Sequence, residues 1–244
     1  LRLYGYGWID RALSSLEVSQ LVTYYAQASS SETITELIEP AQEDDIELMV
    51  VPSQRVAKMT KKKYLDDFFD RGILQLGTYD FFRNAGNIEV RDDQEGFVTL
   101  VGRGVDSTAW GRFMCGGDNY LFCTYLGDPD PAVLNAFEYD SCYFINDSRG
   151  FANAVQIALD AQNYSFGKCV YCEENAIIGG LKPEHSFERI DHRTVEMIGE
   201  AMNFVKPMRY SHQLEFRFVW KMPAYVRGTL VVECPNAVQF CSMT

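Results

Sequence analysis

Near the C-terminal end of this 244-residue chain, the run His212-Gln-Leu-Glu215-Phe-Arg217-Phe-Val-Trp220 alternates polar with apolar side chains. On a strand, that alternation places Gln213, Glu215 and Arg217 on one face and Leu214, Phe216 and Phe218 on the other. Three polar groups would then converge on one surface. The same pattern equally fits the solvated outer face of an amphipathic strand. A second polar cluster, Arg91-Asp-Asp-Gln-Glu95-Gly96, follows the apolar Gly77-Thr-Tyr-Asp-Phe-Phe82. With Glu215, the residues Arg91, Asp92 and Glu95 could serve a metal-dependent hydrolase or nuclease, because carboxylate oxygens suit a divalent cation. Without such a role the cluster is a solvated loop whose ion pairs contribute little.

Other constellations carry less. Cys169-Val-Tyr-Cys172 has the spacing of half a zinc site, but no second pair follows and His185, His192 and His212 lack matching spacing, so structural cysteines and no metal are expected. No G-x-S-x-G elbow supports a serine triad. Gly5, Gly7, Gly179 and Gly180 form neither G-x-G-x-x-G nor a Walker A loop.

The elements that must position these residues follow from periodicity. Stripes at helical spacing predict a helix between Ile9 and Ala28, then a Ser-rich and acidic connection to about residue 45. Short apolar runs punctuated by Pro52 predict strands over Ile46–Val51 and Gln54–Met59. Tyr64, Leu65, Phe68 and Phe69 mark a helix over Lys62–Arg71, with Gly72 as its stop before the strand Ile73–Leu76. Further strands are expected at Val98–Val101, Tyr120–Leu126, Cys142–Ile145, Phe166–Cys172, Leu214–Trp220 and Thr229–Val232. Helices are expected near Pro131–Phe137, Ser148–Ala161 and Arg193–Phe204. Strands outnumber helices and the helices come at irregular intervals, which favours an α+β core with helices to one side over a doubly wound sheet.

Composition bounds the function. With 47% hydrophobic and 14% aromatic residues the chain can bury a core, and 22 basic against 34 acidic residues give a net charge of −12. That acidity removes the long-range attraction to phosphate on which generic nucleic-acid coating depends, and disfavours an anionic membrane. No run approaches the roughly 18 apolar residues of a spanning helix. Seven cysteines, an odd number with several in apolar runs, suggest a reducing, cytoplasmic setting.

Several segments together resemble a largely uncharacterised bacterial domain family found beside mobile elements and phage-defence genes. They are Val56-Ala-Lys58, Phe68-Phe-Asp-Arg-Gly72, Tyr79-Asp-Phe-Phe-Arg83, Arg91-Asp92 with Glu95-Gly96, Phe122-Cys-Thr124, and Lys206-Pro-Met-Arg-Tyr210 before Gln213-x-Glu215-x-Arg217. The likeness spans roughly residues 46 to 222, and Gln213 stands where that family's pattern has an acid. Gln213-x-Glu215 is also similar to the Q/E-x-E signature of the ADP-ribosyltransferase superfamily. That resemblance implies a mixed, mainly antiparallel split β-sheet with flanking helices and NAD held in its cleft as substrate. Glu215 would be the catalytic carboxylate, stabilising the oxocarbenium-like cation formed as the glycosidic bond to nicotinamide breaks, Gln213 the amide that orients the acceptor, and Leu214 between them the anchor of the strand in the core. Lys58, in place of the superfamily's usual Arg, would meet the pyrophosphate with Arg83, Arg91 or Arg217. Cys123-Thr124-Tyr125 would stand for its Ser-Thr-Ser strand, Thr124 being retained and Tyr125 offering a ring to nicotinamide.

The expectation is thus a helical segment and linker over residues 1–45 and an α+β catalytic domain over 46–244. The domain would act as an NAD-dependent ADP-ribosyltransferase of the toxin or phage-defence kind, with an unknown protein or nucleic-acid acceptor. The alternatives are the metal-dependent hydrolase and a non-enzymatic recognition module using the N-terminal helix and aromatics such as Trp8 and Trp110 to bind a protein partner.

Overall fold

The computed structural model describes residues 53–103, 108–114, 116–172, 176–180 and 203–243. The expected helix over Ile9–Ala28, the linker to residue 45, the strand Ile46–Val51 and the helix Arg193–Phe204 up to its last two residues, which form a turn, lie outside the described residues. The described chain is α+β, and it divides into two compact units interleaved in sequence.

The larger unit takes in the described residues from Ser53 to Glu95, then Gly117–Cys169, then His212 onward. Its strands are β1 (Val56–Thr60), β2 (Ile73–Gly77), β5 (Asn119–Leu126), β6 (Ser141–Ile145), β7 (Asn163–Lys168), β11 (Glu215–Lys221), β12 (Thr229–Glu233) and β13 (Cys241–Met243). Its helices are α1 (Lys62–Arg71), α2 (Tyr79–Arg83), α3 (Pro131–Ala136), α4 (Ser148–Leu159) and α5 (Pro235–Val238). All eight strands join one sheet with antiparallel pairing.

The sheet forks at β5. Along one edge β5 pairs with β11 over its length, Asn119 opposite Lys221 and Tyr125 opposite Glu215, and β7 continues beyond β11. Its other edge is shared. At the start of β5, Leu121 faces Gly77 of β2, which leads on to β12. At its end, Tyr125 and Leu126 face Ala57 and Val56 of β1, which leads on to β6 and β13.

Alternation gives the sheet two apolar faces. Phe122, Phe216, Phe218, Trp220, Val56 and Ile145 share a cluster with Leu65 and Phe68 of α1, Phe151 and Val155 of α4, and Ala237 of α5. The opposite face carries Ala57, Met59, Tyr125 and Phe144, against which Val133 and Leu134 of α3 pack. Helices therefore cover both faces, not one as the element order suggested, because α3 packs on the face opposite the one that α1 and α4 cover.

Gly72 ends α1 in the left-handed region at φ 71°, and its carbonyl accepts from the Cys234 amide at 2.8 Å. A β-carbon there would lie 2.3 Å from Pro235 N and 2.4 Å from its Cα. Gly72→Ala therefore combines left-handed strain with a backbone overlap, and should cost at least about 2 kcal/mol in urea unfolding. Gly228, also left-handed at φ 68° but with nothing within 4 Å of the added carbon, supplies the control. Gly228→Ala should lose only the strain, about 1 kcal/mol.

The smaller unit draws on Gly96–Gly116 and Val170–Ser211. There β3 (Phe97–Arg103) pairs antiparallel with β4 (Thr108–Met114) and parallel with β9 (Ala176–Gly180). Separately, β8 (Val170–Cys172) runs parallel to β10 (Val205–Pro207). The single strand expected over Phe166–Cys172 is thus two strands, β7 and β8, in different sheets. Among the described residues, no helix is long and apolar enough to cross a membrane.

Candidate functional site

β11 alternates as its sequence demands, yet both of its faces are buried. Phe216, Phe218 and Trp220 enter the large cluster, so Glu215 and Arg217 face the other way. A charge in such a place needs a partner. Arg217, whose side chain is 1% exposed, donates from Nε to Glu215 Oε1 at 2.7 Å. Its two terminal nitrogens meet Glu95 as a fork, Nη1 to Oε1 at 2.7 Å and Nη2 to Oε2 at 3.2 Å. Both carboxylate side chains are 5% exposed. Burial works against the guanidinium charge, but Glu215 and then Glu95 outweigh it, with smaller help from Cys169 and Cys123. The Arg217 pKa accordingly stands well above the ordinary arginine value.

This joins the two polar segments that the sequence offered separately. Glu95 comes from the cluster after α2, which is not a solvated loop: Asp92 and Glu95 are both buried. The turn is built by backbone bonds from Glu95 N to Asp92 O (3.0 Å) and from Asp92 N to Phe82 O (3.1 Å). Asp92 Oδ1 accepts from Gln94 N at 3.0 Å. Arg83, expected at a cofactor phosphate, donates from Nη1 to the Glu95 carbonyl at 2.8 Å and pairs with Asp80 at 3.4 Å. Arg91 is exposed at the edge of the same turn.

Gln213 differs from its expected setting. It belongs to the 3-10 turn Met208–Gln213, and β11 starts only at Glu215. Between them Leu214 takes a positive φ of 39° and is 45% exposed, so it does not anchor the strand in the core. Its carbonyl instead accepts from Leu126 N at 2.8 Å. The buried Gln213 amide donates to the Glu89 carbonyl at 2.7 Å, and His212 Nε2 lies 2.8 Å from Glu89 Oε2. Earlier in that turn, in the smaller unit, the Arg209 guanidinium lies 4.8 Å from the Tyr210 ring centre.

The remaining candidates divide between the two faces of the sheet. Tyr125, directly opposite Glu215 on β5, is buried on the Glu215 face, and Cys123 lies opposite Arg217. Thr124 pairs with Phe216 on the other face and donates its hydroxyl to the Phe216 carbonyl at 2.6 Å. Lys58 is on that side too, where β1 has parted from β5. Its ammonium donates to the Cys123 carbonyl at 2.9 Å and sits 4.1 Å from the Phe122 ring centre. Burial pulls the Lys58 pKa below the ordinary lysine value, opposed by Cys123 and Glu215.

Chemically, the arrangement is one buried guanidinium shared by two buried carboxylates. Alternation alone could not find Glu95 as the partner, since it lies 122 residues from Arg217. The only local sign was a glutamate followed by Gly96, whose positive φ of 77° turns the chain away. The cation site imagined for Asp92, Glu95 and Glu215 has two of its carboxylates on Arg217. Among the described residues, no group of three or more His, Cys, Asp or Glu is placed to hold a metal. Comparison of the chain with protein-family models, with curated proteins and with solved structures gives no match.

Proposed function

We propose that the protein is an NAD-dependent ADP-ribosyltransferase-like enzyme with Glu215 as the carboxylate at the glycosidic bond. The observation that carries this reading is the buried Glu95–Arg217–Glu215 group, in which Arg217 holds the Glu215 carboxylate in a fixed direction. When the bond between ribose C1′ and the nicotinamide nitrogen breaks, both bonding electrons leave with nicotinamide and C1′ becomes cationic. The positive charge thus moves from the pyridinium ring to the ribose, and an anion preoriented at C1′ stabilises it there more than in the ground state. An acceptor oxygen or nitrogen then bonds to C1′ and gives up its proton. Tyr125, beside Glu215, would supply the ring for nicotinamide, and Arg91 a charge for phosphate. Gln213, at the entry to β11, would meet the acceptor, a macromolecule or water. The forked antiparallel sheet is compatible with the split core that the sequence resemblance implied.

The test is nicotinamide release from NAD by the wild-type protein and by Glu215→Gln, without and with cell lysate as a source of acceptor. Glu95 still forks Arg217 in the variant, so it should fold, and thermal melting checks this. The expected result is a loss of at least about 100-fold in rate in a folded variant. Full activity in the folded variant, or no release by the wild type under either condition, removes the reading.

A further inference from the structure

We propose that Glu95 is a positioning residue for Glu215, acting through Arg217, so that the turn after α2 sets the aim of a carboxylate on β11. The inference rests on the reading of Glu215 as the catalytic carboxylate. The fork to both oxygens of Glu95, at 2.7 and 3.2 Å, fixes the plane of the guanidinium and with it the direction of the Nε–H. Glu95 is itself braced from α2. Arg83 holds its carbonyl at 2.8 Å, its amide bonds Asp92, and the Asp92 amide bonds Phe82. A continuous series of hydrogen bonds therefore runs from the end of α2 to the Glu215 carboxylate, all within one compact unit. Neutralising Arg217 would need only a negative charge nearby. A fork with a braced base adds direction, which a reacting carboxylate requires, since small misplacements cost large factors in rate.

The test compares wild type, Glu95→Gln and Glu95→Asp. Gln keeps the volume but turns an NH2 group toward the guanidinium, whereas Asp keeps the charge and the fork on a shorter arm. Glu95→Gln should lower the kcat of nicotinamide release by about 10- to 100-fold per folded molecule, with KM within about twofold, and Asp should recover part of it. An unchanged kcat, or a fall that follows only the folded fraction, overturns the inference. A second reading needs no activity: the Arg217 Nε–H resonance in 15N-arginine-labelled protein, assigned by its disappearance in Arg217→Lys. It should be sharp and slow to exchange in wild type, and shifted or broadened in folded Glu95→Gln. If the wild type releases no nicotinamide, the NAD reading fails while this signal still decides whether Glu95 holds Arg217 on Glu215. An unmoved resonance overturns that.

Discussion

Arg217→Ala is expected to destabilise the larger unit by about 3–5 kcal/mol at neutral pH, enough to leave much of the protein unfolded. The loss comes less from the missing bonds than from what remains. Glu95 and Glu215, each 5% exposed, would be left buried without the guanidinium that bridges them. Urea unfolding of variant and wild type at about pH 7 measures the gap, and a difference of less than about 1 kcal/mol would sink the expectation. Arg217→Lys keeps a cation but not the fork, and should lose less stability while still disturbing Glu215.

What the sequence made legible divides along the same line, between local signals and distant partners. The helix Lys62–Arg71 matches its expected bounds, because an apolar stripe and a left-handed glycine are both written within a dozen residues. The strand at Glu215–Lys221 was visible from its alternation, and so was the side of it that Glu215 and Arg217 share. Alternation failed one step earlier, at Leu214, since a single positive φ breaks the period without changing the residue pattern. It also could not tell a solvated polar face from a buried one. That difference is made by Glu95, which arrives from a remote segment with the neutralising geometry. Thr124 and Lys58 show the converse. Their types suit a phosphate site, but register places them on the face opposite Glu215, and register depends on which strands pair. The division of Phe166–Cys172 between two sheets was equally hidden, since only Cys169 separates the two strands.

The second large effect is expected at the far end of the same strand. Trp220 is fully buried, stacks on Phe218 with ring centres 5.9 Å apart, and donates Nε1–H to the Ala152 carbonyl at 2.9 Å. It therefore ties β11 to α4 through both shape and a hydrogen bond. Trp220→Ala should cost about 3–5 kcal/mol, because the void lies between a sheet and a helix that are each held by other contacts and cannot collapse to fill it. Trp220→Phe separates the two contributions, removing the donor and part of the ring while keeping an aromatic against Phe218. Its cost should be about 1–2 kcal/mol. Chemical denaturation with the slope monitored would distinguish a true loss of stability from a change in the unfolded ensemble. Equal losses in the two variants would assign the effect to the hydrogen bond with Ala152. The expected inequality assigns it to packing, and makes the aromatic face of β11 the support on which the charged face is aimed.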